Sequence, residues 1–121
     1  MTVTTAGLAE VAELIIGAGT AFSNIAIGTG STQAFADSAT QLVSETARET
    51  ATTSTDTTDD TGDTSKFVAT FNFTASGTIN EVAVLNASSN GTMLCAQYIS
   101  DINVESGDSL QVTYKVDFDN P

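Results

Sequence analysis

Leu110-Gln111-Val112-Thr113-Tyr114-Lys115-Val116-Asp117-Phe118 alternates apolar and polar residues without a break. A strand turns successive side chains to opposite faces. Leu110, Val112, Tyr114, Val116 and Phe118 therefore face one way, and Gln111, Thr113, Lys115 and Asp117 the other. One dry face and one wet face is the pattern of an antiparallel sheet packed on one side. Working backwards, the same period recurs in Phe67, Ala69, Phe71 and Phe73, which alternate with Val68, Thr70 and Asn72. Ile79 to Leu85 and Thr92 to Ile99 read as two more strands, and Ala21 to Ile27 as an earlier one. Turn chemistry separates them: Gly28-Thr29-Gly30-Ser31, Ser76-Gly77, Ser106-Gly107-Asp108, and Asn90-Gly91, a strong hairpin signal. Short strands at this spacing predict a mainly β, jelly-roll-like antiparallel β-sandwich.

One helix is expected, over residues 5–16. Leu8, Val11, Ala12 and Ile15 fall on one face, Thr5 is placed to cap it, and Gly17 to stop it. Such a helix can cover an apolar surface or insert between subunits. Residues 31–47 are mixed, with Asp37 placed to cap a short helix carrying Leu42 and Val43. Residues 50–65 are almost wholly Thr, Ser, Asp and Gly, and read as a solvated acidic loop or hairpin tip.

The chain has 121 residues, enough for a single domain. Fifteen acidic residues against three basic ones (Arg48, Lys66, Lys115) give a net charge of −12. Three scattered cations cannot replace the counterions of a phosphate backbone, so nucleic acid is excluded as a partner, and anionic membrane surfaces with it. No apolar stretch approaches the ~20 residues of a membrane span, and no basic, apolar leader follows Met1, so a soluble chain without secretion signal is expected. An acidic, lysine-poor surface rich in Thr, Ser and Asn suits high salt, where a Debye length of about 3 Å removes self-repulsion.

Histidine is absent, which removes every His-based triad, general base and metal ligand. The lone Cys95 lies in an apolar run and reads as a small buried hydrophobe. Gly17-Ala18-Gly19-Thr20-Ala21-Phe22 imitates a dinucleotide loop, but a helix precedes it and a strand follows, the reverse of the order that brings pyrophosphate to a helix N-terminus. Asp56, Asp59, Asp60 and Asp63 do not match the offsets of a calcium loop. Glu81 interrupts an apolar strand and is expected to face outward or to be salt-bridged. Asn72, Asn86 and Asn90 head sequons expected to be silent. No catalytic, cofactor-binding or metal-binding residue is assigned, no cofactor is expected, and the chain is not expected to be an enzyme.

Several stretches carry a resemblance. They are Ile25-Ala26-Ile27-Gly28-Thr29-Gly30-Ser31-Thr32, then Asp37 to Glu45 with Arg48, Phe67-Val68-Ala69-Thr70-Phe71, and Ile79-Asn80-Glu81-Val82-Ala83-Val84-Leu85-Asn86. Gly91-Thr92-Met93-Leu94 and Gly107 to Tyr114 complete the set. Over residues 20–118 the chain resembles small structural proteins of tailed viruses of bacteria and archaea. In these, a Gly-Thr-Gly turn, an acidic-Leu-Glu stretch with a following Arg, and an Ile-x-Glu-x-Gly-Leu strand recur; Ala83-Val84 replaces the Gly-Leu pair here. The resemblance implies a β-sandwich subunit of a haloarchaeal tailed virus, made in the host cytoplasm and resident in the virion. It implies a homo-oligomer, with a pentamer as one option, in contact with other virion proteins such as the major capsid protein. A capsid vertex turret or decoration is the first expectation and a tail or baseplate component the second. A carbohydrate-binding or adhesion sandwich for host attachment is the rival from another class.

Overall fold

The computed structural model describes residues 1–120. In chain order the elements are β1 (Thr2–Val3), α1 (Thr5–Ile15), β2 (Asn24–Gly28), β3 (Glu45–Thr50), β4 (Thr52–Asp56), β5 (Thr64–Asn72), β6 (Gly77–Leu85), β7 (Met93–Val104) and β8 (Ser109–Asp117). They form two antiparallel sheets, one in the order β1-β7-β6-β2-β3 and the other β4-β5-β8. The expected antiparallel sandwich is borne out. Neighbours β2 and β3, β4 and β5, and β6 and β7 pair within one sheet, and the chain crosses between sheets at Ala51, after Phe73 and after Val104.

The period-2 reading holds best where one face is wet. On β5, Phe67, Ala69 and Phe71 are buried, and on β8 Tyr114 and Val116 are buried while Leu110 and Val112 are half-buried. They meet Ile25, Ile27, Val82, Val84 and Cys95 from the larger sheet, forming the inter-sheet core. Phe118 departs from the expectation: it lies beyond the last strand and is 54% exposed. Asn90 (φ 54°) and Gly91 (φ 76°) both take the left-handed conformation, as the hairpin chemistry requires.

Several expectations are corrected. The helix forms, but Thr4 rather than Thr5 caps it, its hydroxyl accepting from the Gly7 N–H and donating to the Met93 carbonyl. The packed face is Gly7, Val11 and Leu14; of the expected Leu8, Val11, Ala12 and Ile15, Val11 packs and the other three are exposed. Gly7 lies so close to the Leu94 backbone that a Cβ would collide with it, which lets the helix sit directly on β7. The expected short helix after Asp37 does not form. The segment 29–44 is irregular and lies over the outer face of the larger sheet, where Phe35, Ala39 and Leu42 meet Ala26, Ala83, Leu85, Met93 and Ala96 in a second apolar cluster. Finally, β3 begins in the stretch read as mixed and runs on to Thr50, at the start of the expected acidic loop, and β7 extends five residues beyond the expected Ile99, to Val104.

Among the described residues, no helix is long and apolar enough to cross a membrane.

Candidate functional site

β6 is buried on both faces from Ile79 to Leu85, because sheet packs on one side of it and the 29–44 segment on the other. Glu81 sits in the middle of that run with no exposed surface. The expectation that it faces outward or is ion-paired is therefore corrected. Among the described residues its carboxylate meets no cation. It instead accepts three hydrogen bonds: Oε1 from the Ser31 hydroxyl (2.6 Å) and the Val43 N–H (3.0 Å), and Oε2 from the Ser44 N–H (2.8 Å). Beside it, Asn80 Oδ1 accepts from the Ser31 N–H (3.1 Å), and the Thr29 N–H donates to the Ser44 carbonyl (3.0 Å). A buried charge persists only where hydrogen bonds replace its water, and here they come from both ends of one segment. The Glu81 carboxylate is thus a strut tying residues 29–31 to 43–44. Gly28, opposite Glu81 in the β2–β6 register, leaves room for it; a Cβ there would collide with Glu81 Oε2 and the Ser44 carbonyl.

Arg48 is a second fastener. Its guanidinium pairs bidentately with Glu45 (2.6 and 2.9 Å) and donates to the carbonyls of Ala87 and Asn90 (2.9 and 2.8 Å), holding the β6–β7 hairpin loop against β3.

The acidic turn is built around Asp63. Its carboxylate accepts from the N–H groups of Thr58, Asp59 and Asp60 (2.9, 3.0 and 2.8 Å) and from the Thr64 hydroxyl. The Asp60 and Thr58 N–H donors hold it well below the usual carboxylate range. Asp59, Asp63 and Asp117 bring carboxylate oxygens within 4.8 Å of one another. Partial desolvation and the charges of Asp63 and Asp59 push Asp117 up. Asp56 pairs with Lys115 (2.8 Å), whose hydrogen bond holds it down. With Asp63 already committed to four donors of its own turn, the cluster reads as a turn lock.

The remaining sequence candidates are structural. Cys95 is buried, and burial pushes its thiol up to about 11, far from a reactive thiolate. Its polar neighbour is the Tyr114 hydroxyl, which is buried without a hydrogen bond of good geometry. Gly17 and Gly19 follow the helix rather than precede it. Asn72 accepts from Ser109 and Asn86 from the Thr92 N–H, so both sequon amides are engaged in local structure.

No protein-family model, curated protein or solved structure matches the chain.

Proposed function

We propose that this chain is a non-enzymatic structural protein of a tailed-virus particle, assembling with copies of itself as a capsid vertex turret or decoration. The virion assignment rests on the resemblance set out above. Its motif stretches have a structural use: the Gly-Thr-Gly turn, the stretch ending at Glu45 and the Ile79-Asn80-Glu81 strand supply the strut and its partners. The observation that carries self-assembly is the helix. Leu8, Ile15 and Ile16 are 60%, 80% and 80% exposed on a chain of net charge −12. Apolar side chains grouped on one small element mark an interaction surface.

Two measurements test this reading. Light scattering in molar salt should show a species larger than one chain at micromolar concentration, and a strict monomer would overturn self-assembly. An antibody to the purified chain should label vertices of tailed particles from the source habitat in electron micrographs. Label on tails would transfer the protein to a tail or baseplate, and particles lacking the chain by mass spectrometry would overturn the virion assignment.

A further inference from the structure

Six of the chain's seven asparagines are held or hindered. Asn24 and Asn80 are buried, and Asn80 accepts from the Ser31 N–H. The side chains of Asn72, Asn86 and Asn103 are engaged by Ser109, the Thr92 N–H and Thr78. Asn120 precedes Pro121, whose nitrogen carries no hydrogen. Asn90 differs. It is exposed in the β6–β7 hairpin loop, and among the described residues its side-chain amide meets no partner. Gly91 follows it, exposed, with no side chain to shield its nitrogen and no acceptor for its N–H. That glycine has a structural reason, because a Cβ there would collide with Ala87 and with Asn86 Oδ1. The main-chain carbonyl of Asn90 is the engaged group: it accepts from Arg48 Nη1 at 2.8 Å. The Arg48 side chain is 10% exposed and pinned by Glu45.

We infer that Asn90 is a site of self-modification, an amide-to-acid conversion whose product Arg48 directs. An asparagine amide beside an unshielded backbone nitrogen is thermolabile. The Gly91 nitrogen gives its proton to hydroxide and bonds to Asn90 Cγ. The C–N bond of the side-chain amide breaks, and ammonia leaves with a proton from water, closing a cyclic imide. Water then opens the ring at one of two carbonyls. Attack at Cγ breaks its bond to the Gly91 nitrogen and gives aspartate. Attack at the main-chain carbonyl breaks that carbon's bond to the same nitrogen and gives isoaspartate. The chain then runs on through Cβ and Cγ, and the former main-chain carbonyl is a free carboxylate. Overall one water enters and one ammonia leaves, with nothing oxidised or reduced. The Arg48 guanidinium donates to the second of these carbonyls. In that branch negative charge develops on the oxygen it already holds, and a hydrogen bond to a cation strengthens as its acceptor becomes charged. Isoaspartate is therefore favoured over aspartate. Ring closure must swing the Asn90–Gly91 peptide, which the same bond opposes, so Arg48 slows the first step and directs the second. The product keeps the loop fastened through a full ion pair. The conversion needs no partner.

Incubation of the full chain at mildly alkaline pH tests the inference, folded in molar salt beside the same chain unfolded in guanidinium chloride. Peptide mapping by mass spectrometry locates the conversion, and enzymatic methylation of isoaspartate reads its share. The folded chain should convert at Asn90 ahead of the other six asparagines, with a higher ratio of isoaspartate to aspartate than the unfolded chain. Arg48→Gln should convert faster, yet with that ratio lowered about fivefold, as for loss of one hydrogen bond of ordinary net strength, to the unfolded value. An arginine that only fastens the loop would change the rate and leave the ratio alone. Asn90→Gln, whose longer side chain closes a larger ring, should suppress the conversion. If Arg48→Gln fails to fold, the comparison of folded with unfolded wild-type chain decides the ratio by itself. A folded chain that stays intact at Asn90, or converts first at another asparagine, overturns the site. An equal product ratio in the folded wild type and the unfolded chain overturns the role of Arg48.

Discussion

Removing the Glu81 carboxylate should release the 29–44 segment from the sheet beneath it. Glu81→Ala strands three donors: the Ser31 hydroxyl and the N–H groups of Val43 and Ser44. Each buried donor left unpaired costs about 1–3 kcal/mol, offset in part by no longer burying a charge and by water entering the gap. A net loss of about 3–5 kcal/mol follows, a large share of the 5–15 kcal/mol typical of a domain. Glu81→Gln keeps the shape. Its carbonyl can serve the two donors at Oε1, but its amide then faces the Ser44 N–H, donor against donor, so about 1–3 kcal/mol should be lost. Gly28→Ala should resemble the alanine variant, since its methyl takes the space Glu81 occupies. Urea unfolding measures the totals, and amide hydrogen exchange localises them. Protection should fall at Val43 and Ser44 and over the outer-face residues Ala83 and Leu85, more than at Phe71 in the inter-sheet core. If Glu81→Ala costs under about 1 kcal/mol and exchange at Val43 and Ser44 is unchanged, the strut argument is wrong.

Three further outcomes are expected. Tyr114→Phe removes a buried hydroxyl without a good partner, and should be neutral or stabilising by up to about 1 kcal/mol in thermal melts, whereas Tyr114→Asp should not fold. Asp63 is held below its unfolded value, so its contribution is present above about pH 4 and lost as pH falls through the acid range; Asp63→Asn should lower stability at pH 7 and flatten the limb between about pH 4 and 2 in urea melts, with Asp117, pushed the opposite way, gaining slightly on acidification. Stability should rise from low to molar salt as repulsion is screened, and Asp59→Asn with Asp60→Asn should flatten that rise without lowering its plateau, since neither side chain holds the turn; melting curves that do not move with salt would remove the high-salt argument.

What was legible in the sequence follows physical lines. β5 and β8 could be read residue by residue, because a strand dry on one side writes its burial as alternation. The helix was legible as a helix but not in its packed face. The contact with β7 runs through Gly7, and a residue without a side chain leaves no mark in a hydrophobic pattern. β3 was illegible because Glu45-Thr46-Ala47-Arg48-Glu49-Thr50 forms a largely exposed sheet edge with little apolar content. Glu81 was misplaced although a signal existed. Val82-Ala83-Val84-Leu85 is apolar at every position, which means both faces of that strand are covered. A glutamate within such a strand must then be covered too, whichever way it points.

The burial of Glu81 also bears on where copies of the chain can meet. A sheet with an apolar outer face normally offers that face to a partner. Here Ala26, Ala83, Leu85, Met93 and Ala96 on the larger sheet are already covered by the chain's own 29–44 segment, which the strut holds down at both ends. The outer face of the smaller sheet carries Ser54, Lys66, Thr113 and Lys115, a polar surface with two cations opposite one another. The β3 edge carries Glu45, Arg48 and Glu49, charges of the kind that discourage strand addition. The β7–β8 flank is the side where apolar surface, free strand edges and freedom from carboxylates coincide. On the self-assembly proposal, a buried carboxylate that closes one face leaves the other flank as the apolar surface open to a partner. It follows that Glu81→Gln, by loosening the 29–44 segment and exposing a second apolar face, should broaden the association of the chain into mixed, larger species rather than abolish it.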